Sequence, residues 1–245
     1  MEKRKTKRKT HRLYAFVVLL LAAAILALGI LILFYVQEIE VEGNEYCTDQ
    51  QIADTVRNDK YSINTLYIIA KYALGQGESL PCLDSIHVGL SAPWTLKVTV
   101  KEKPIVGYVK NQDNYAYFDK EGMVVSMSQT LLEGLPSIEG IDMKGIKLYG
   151  HLESDDRQIF EEILETSREV VNQDLTVDKI VCREDEIFLY IGNVCINLGS
   201  QVSSEQVAQI RPILEKLGDQ SGTLHLENYS RSGDTITFDV GEIPQ

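Results

Sequence analysis

Hydrophobic positions are continuous over one stretch near the start of this 245-residue chain. Residues 13–36 include no charged side chain. A helix rises about 1.5 Å per residue, so this stretch reaches about 36 Å, which is enough to cross a hydrocarbon core about 30 Å thick. Tyr14 and Tyr35 stand near its two ends, where aromatic rings favour the headgroup level. The pattern predicts a single transmembrane helix in contact with membrane lipid.

The charges beside this stretch predict its orientation. Residues 1–12 hold seven basic side chains and one acidic one, whereas residues 37–45 hold no basic side chain. The positive-inside bias therefore predicts a cytoplasmic tail and an extracellular remainder, in a single-pass protein of the cell membrane. Ala22 and Ala24 offer a signal-peptidase pattern, but the apolar stretch is longer than the 7–15 residues of a signal peptide. We therefore expect an uncleaved anchor.

A small domain is predicted over residues 37–104. Alternating Ile39 and Val41 predict a strand, and Thr48 with Gln51 forms a capping-box pattern for a helix. A second helical pattern covers residues 62–74. Two alternating strands follow, near residues 86–90 and 94–101, which gives the order β-α-α-β-β.

A larger domain is predicted over residues 105–240, followed by a short tail at 241–245. Helical patterns cover two segments, 154–171 with Ser154 as the cap, and 203–217, where Pro212 is expected to kink or split the helix. Alternating or apolar strands are predicted at 105–110, 115–119, 123–127, 178–183, 186–191, 194–198, 222–227 and 235–240. The predicted fold class is α+β: a transmembrane helix, the small domain, and a larger antiparallel-sheet domain with helices on one face.

Charge and motifs exclude several functions. The formal charge is −12 for the whole chain and +6 for residues 1–12, which leaves −18 on the rest and argues against nucleic-acid binding. The four histidines lack metal-ligand spacing, and acids beside His151 fit a solvated helix start better than a metal site. Nucleophile and phosphate-loop motifs are also missing from the sequence. We therefore expect no catalytic residue, no metal and no cofactor.

The four cysteines all follow the apolar stretch, where disulfides are permitted. A Cys47–Cys82 bridge is one open pairing, because both residues belong to the small domain. If tight turns set the register of residues 178–198, Cys182 faces Ile187 and Cys195 faces Tyr190 on opposite sides of the sheet. On that register Cys182 and Cys195 cannot bond with each other.

The last predicted strand, near residues 235–240, suggests a binding role. It is rich in β-forming residues, nearly uncharged, and lies where a sheet would end. A partner segment could pair with its open backbone by strand addition. Alternatively, residues 203–217 cover the edge. On the first reading, Lys in place of Ile236 or Phe238 should abolish partner capture and leave the fold intact.

The order of these motifs resembles a known family. I-x-V-x-G-N after the apolar stretch, then P-W-T-L-K-V-T-V-K-E-K-P-I-V, is similar to the POTRA domain of the FtsQ/DivIB cell-division proteins. Phe118-Asp119-x-x-Gly122, Leu135-Pro136 and Leu198-Gly199 match later landmarks of that family. The resemblance implies a non-enzymatic scaffold at the division septum. It would bind FtsL-like and FtsB/DivIC-like partners and act indirectly on septal peptidoglycan synthases.

The same resemblance implies where those partners bind. Tyr229 matches the tyrosine of the family's D-x-R-Y pattern, whereas His225, Glu227 and Asn228 do not reproduce the rest. The implied partner-binding residues are Glu227, Asn228, Tyr229, Ser230, Gly233, Thr235, Ile236, Thr237 and Phe238. A membrane-anchored sensor with a closed ligand pocket is the main alternative. A POTRA-bearing chaperone is a third, although such proteins usually repeat the domain and only one copy is found here.

Overall fold

The computed structural model describes the backbone of residues 3–229 and 236–244, and the side chains from residue 13 onward within those ranges. Helix α1 (Lys3–Leu33) contains Leu13–Leu33, which is long and apolar enough to cross a membrane. The helix ends three residues before the predicted limit at residue 36. Val36 donates its backbone N–H to Ile63 O (2.9 Å), and its side chain is buried, because it already belongs to the following domain.

The chain divides into two compact units between Glu102 and Lys103. Beyond α1, the first unit contains β1 (Glu38–Glu42), α2 (Asp49–Val56), α3 (Thr65–Ala73), β2 (Leu83–Ala92) and β3 (Thr95–Glu102). The predicted β-α-α-β-β order is confirmed. Its sheet has the order β1-β3-β2, and β1 runs parallel to β3. The predicted capping box is also present, with Thr48 accepting from Gln51 N and the Gln51 side chain accepting from Thr48 N.

The second unit is built on one nine-stranded sheet with the order β14-β13-β12-β11-β10-β7-β4-β5-β6. The strands and helices along the chain are β4 (Ile105–Asn111), β5 (Asn114–Asp119), β6 (Val124–Ser128), β7 (Ser137–Glu139), β8 (Met143–Lys144), β9 (Glu153–Ser154), α4 (Arg157–Asn172), β10 (Lys179–Arg183), β11 (Glu186–Ile191), β12 (Val194–Gly199), α5 (Ser204–Leu217), β13 (Gly222–His225) and β14 (Thr237–Val240).

The α+β class is confirmed, but the large sheet is mixed rather than purely antiparallel. Its parallel pairs are β7–β10, β4–β7 and β12–β13. The pair β12–β13 is parallel because α5 crosses over the sheet and returns the chain to the end at which β12 begins. Strand β7 joins the two halves of the sheet and was not predicted, because three residues are too short for a periodic pattern.

The two helices of the second unit refine two predictions. The cap of α4 is Asp156, whose side chain accepts from Ile159 N at 3.1 Å, and not Ser154, which lies in β9. Helix α5 is continuous through Pro212, so of the two expected effects of this residue the split is wrong, and the kink stays a prediction. A capping box formed by Ser203 and Gln206 fixes the start of α5.

One face of the sheet is covered by α4 and α5 and holds the core. A row of cross-strand neighbours runs along this face through Ile138, Ile180, Leu189, Ile196, Leu224 and Phe238. Cys182 pairs with Ile187 in this core, whereas Cys195 pairs with Tyr190 in a smaller apolar cluster. The predicted register of both cysteines is confirmed.

Candidate functional site: the β14 edge

Strand β14 ends the nine-stranded sheet and is paired with β13 on one side. Within residues 3–229 and 236–244, no strand pairs with its other side. At the opposite end of the sheet, the start of β6 is covered, because Val124 donates to Gly150 O and accepts from Tyr149 N, each at 2.8 Å. An unpaired strand edge can accept another chain.

The register identifies which backbone groups of β14 face away from β13. Gly241 N donates to Ser221 O at 3.0 Å, directly beyond the last paired residues Val240 and Gly222. Hydrogen-bonded and non-bonded pairs alternate in an antiparallel ladder. Thr237 and Asp239 therefore direct their backbone groups toward β13. The backbone N–H and C=O of residues 236, 238 and 240 point to the open side.

The side chains of this region divide into an inner and an outer set. Ile236 and Phe238 are half-buried and pack against the main core, whereas Thr237 and Asp239 are exposed. Val240 is 75% exposed. The packing of Ile236 and Phe238 argues against the expectation that Lys at either position would leave the fold intact, because the change would place a charged side chain beside packed apolar ones. Val240 is the position that can be altered with little effect on the core.

Gly222 allows β14 to approach β13 closely. A Cβ atom at this position would lie 2.1 Å from Asp239 O and 2.9 Å from the ring of Phe238. Any larger residue must displace β14. Gly222 was not among the predicted site residues, because a strand glycine becomes informative only when the facing strand is known.

Three ionisable groups lie beside the edge. His225 Nδ1 is 3.1 Å from Glu227 Oε1, and His225 Nε2 is 3.3 Å from Asp239 Oδ2. Glu227 Oε2 is buried and has no hydrogen-bond partner among the described residues. This cluster connects β13, β14 and the turn that follows β13. In the sequence, His225 stands out only as a departure from the family pattern.

The structure places part of the predicted site together. Glu227, Asn228 and Tyr229 form the turn after β13, where Tyr229 N donates to Leu226 O at 2.9 Å. Ile236 precedes β14, and Thr237 and Phe238 lie in it. Ser230, Gly233 and Thr235 lie outside the described residues, as does the predicted turn at residues 232–234.

Helix α5 packs on the face of the sheet rather than beside its edge. Gln206 is buried, and its Nε2 donates to Leu226 O (2.8 Å) and to Leu198 O (3.3 Å). Val207 and Ile210 are buried in the main core beside it. These contacts direct α5 toward β12 and the end of β13.

Comparisons with known proteins agree with this architecture. Residues 34–103 match the family model of the FtsQ-type POTRA domain. The chain is 24% identical over 172 residues to the cell division protein DivIB of Clostridium acetobutylicum, covering 68% of each chain. It is 22% identical over 211 residues to the cell division protein DivIB of Clostridium botulinum, covering 84% of this chain and 80% of the other.

The fold therefore defines a protein with an N-terminal apolar helix, one POTRA domain and a mixed-sheet domain. With the domain match and the two relatives, the resemblance to the FtsQ/DivIB family of cell-division proteins is confirmed. A role related to cell division follows.

Proposed function

We propose that this protein is a non-enzymatic scaffold of the bacterial division machinery. The apolar helix anchors it in the cell membrane with the N-terminus in the cytoplasm and both folded units outside, at the division septum. Support comes from the basic residues that precede the apolar segment Leu13–Leu33, the FtsQ-type POTRA domain and the names of the two relatives.

The unpaired outer edge of β14 is the main structural support for the proposed binding mechanism. An extended segment of an FtsL-like or FtsB/DivIC-like partner adds there as a further strand, paired with the outward groups of residues 236, 238 and 240. Main-chain pairing supplies the affinity and does not require the family's D-x-R-Y side chains. Through these partners the protein acts on septal peptidoglycan synthases.

The alternative of a small-ligand sensor has little support at the turn after β13. The cavity lined by His225, Glu227, Asn228, Tyr229, Ile236 and Thr237 has a volume of about 50 Å³. Ligand pockets usually measure about 300–1,000 Å³. This cavity could hold one or two water molecules but not a metabolite.

Hydrogen exchange of backbone amides tests strand addition. The full chain is incubated in detergent or nanodiscs with the extracellular segments of its own FtsL-like and FtsB/DivIC-like proteins. The amides of residues 236, 238 and 240 should exchange more slowly in the complex, because they gain partners. The amides of Thr237 and Asp239, which already face β13, should change less. Unchanged exchange at all five positions in a formed complex would overturn strand addition.

Localisation of a fluorescent fusion separates the scaffold from the sensor. A scaffold of the division machinery should collect at midcell before constriction begins. A uniform membrane signal through the whole cell cycle would contradict the proposed role and favour the sensor.

A further inference from the structure

The backbone that leaves α1 is hydrogen-bonded to two segments of the POTRA domain, the start of α3 with the loop before it and the turn between β2 and β3. Phe34 O accepts from Thr65 N (2.8 Å), Val36 N donates to Ile63 O (2.9 Å), and Gln37 N donates to Trp94 O (2.9 Å). All three residues follow Leu33, the last residue of the apolar helix, by no more than four positions. Both segments therefore lie at the end of the proposed span.

Large apolar and aromatic side chains are exposed on this part of the domain. We call the surface formed by Tyr35, Tyr61, Ile63, Leu66, Tyr67 and Trp94 the membrane-proximal patch. Their exposed fractions range from 39% to 58%. Exposing such side chains to water is unfavourable, and clusters of them mark interaction surfaces. Tyr and Trp are also the residues enriched where a membrane meets water.

The charges around the patch are compatible with a lipid surface, although the extracellular part of the chain is acidic. Lys60 Nζ lies 4.8 Å from the centre of the Tyr61 ring, which places a basic group at headgroup level. Asp59 is neutralised by Lys71, whose Nζ is 2.7 Å from Asp59 Oδ2. Glu38, Glu40 and Glu42 are exposed acids of the strand that follows the linker, and Glu42 is paired with Lys97 at 2.9 Å.

An open cleft of about 480 Å³ lies between the end of α1 and the loop before α3. Its lining includes Leu31 and Ile32 from the apolar helix and Ile63 and Asn64 from the loop. Because two of these side chains belong to the span itself, the cleft opens at the boundary between acyl chains and headgroups.

We propose that the membrane-proximal patch inserts into the headgroup–acyl boundary of the outer leaflet and binds phospholipid. This inference rests on the proposed membrane span, because the span brings the patch to the bilayer. The few residues between α1 and β1 then form a fixed connection, and the POTRA domain lies on the bilayer instead of extending from it on a flexible linker.

Trp94 allows a direct test, because it is the single tryptophan of the chain. The full-length protein is reconstituted into nanodiscs of zwitterionic phosphatidylcholine, with and without bromine on the upper acyl carbons. Insertion of about 5–10 Å should bring Trp94 within reach of the bromine and lower its emission by about half. In a separate experiment, the protein is reconstituted into liposomes, and its resistance to carbonate extraction tests the membrane span.

Two matched variants locate the contact. Ile63→Asp places a charge in the patch and should restore the Trp94 emission. Leu74→Asp changes a leucine that is 73% exposed at the C-terminal end of α3, and should remain quenched like the parent protein. Far-UV circular dichroism checks that both variants fold.

Three other results would overturn the inference, each for a different reason. An unquenched Trp94 in carbonate-resistant protein would overturn lipid docking and leave the span intact. Extraction by carbonate would overturn the span and the docking together. A change in emission that depends on protein concentration and not on bromine would assign the patch to a second copy of the chain.

Discussion

Cys47 Sγ and Cys82 Sγ lie 2.7 Å apart, and both side chains are buried in the POTRA domain. This contact joins the turn before α2 to the start of β2. In the reduced protein, contact with Cys82 and burial raise the pKa of the Cys47 thiol. The short distance between the two sulfur atoms favours the Cys47–Cys82 pairing, which the sequence alone left open.

We predict that Cys47 and Cys82 form a disulfide when the protein is exported, where an exported thiol–disulfide oxidoreductase or oxygen accepts the two electrons. Alkylation of the unfolded, unreduced protein should then label two cysteines, Cys182 and Cys195. In the chain-entropy model, loss of the bond by Cys47→Ser should lower the free energy of unfolding by about 3–4 kcal/mol. Four labelled cysteines would contradict the prediction, and Cys182→Ser, which should leave the bond in place, is the control.

Glu102 stabilises the same turn from β3. Its carboxylate accepts from Glu45 N (3.0 Å), Tyr46 N (3.0 Å) and Cys47 N (2.8 Å). Hydrogen bonds to charged groups contribute about 1.5–3 kcal/mol each, so Glu102→Ala should lower the unfolding free energy of the POTRA domain by at least about 2 kcal/mol. Chemical denaturation measures this change. Lys101→Ala, which removes an exposed neighbour, should change it by less than about 1 kcal/mol.

The Asp59–Lys71 pair predicts a pH dependence of stability. The hydrogen bond from Lys71 Nζ (2.7 Å), helped by the backbone N–H of Tyr61 (2.8 Å), lowers the pKa of Asp59 from 3.8 to about 2. A carboxylate with a lowered pKa stabilises the fold above its unfolded pKa, and this contribution is lost as the pH falls toward 2. The melting temperature of Asp59→Asn should therefore lie below that of the parent at pH 7 and approach it near pH 2. A constant difference across this range would exclude the pair as the cause.

Gly222 provides a test of the position of β14. Because a Cβ would lie 2.1 Å from Asp239 O, Gly222→Ala should displace β14 from β13 and weaken partner capture by about tenfold or more. Gly192→Ala is the control, because a Cβ at Gly192 meets no atom within 4 Å. The positive φ of 55° at Gly192 strains any replacement. Partner capture by the two variants is therefore compared at temperatures equally far below their melting temperatures. Equal capture by both variants would show that the placement of β14 does not matter.

Part of this fold could be predicted from residue patterns alone. Alternation along residues 95–101 predicted β3, and turns near Asp185 and Asn193 predicted the register that separates Cys182 from Cys195. These features depend on local periodicity and on turn geometry, which are properties of neighbouring residues.

The rest depended on long-range pairing. Strand β7 pairs with both β4 and β10. Its three residues show no local pattern that would distinguish them from a loop. The inward packing of Phe238 and the outward backbone of Val240 follow from the β13–β14 register, which the Gly241–Ser221 hydrogen bond reveals. The sequence could therefore predict the sheet edge, but not which backbone groups of the edge strand face away from β13.

In the proposed mechanism, backbone groups on the outer side of β14 bind the partner chains. Val240→Pro removes an outward N–H without touching the hydrogen bonds to β13, and proline is tolerated on an exposed strand edge. Val240→Ala keeps the N–H and shortens the same exposed side chain, so it is the matched control.

The decisive measurement is the affinity of both variants for the FtsL-like and FtsB/DivIC-like segments. One lost hydrogen bond should raise the dissociation constant of Val240→Pro by about tenfold over that of Val240→Ala, at equal melting temperatures. Equal dissociation constants for the two variants would contradict strand addition at β14.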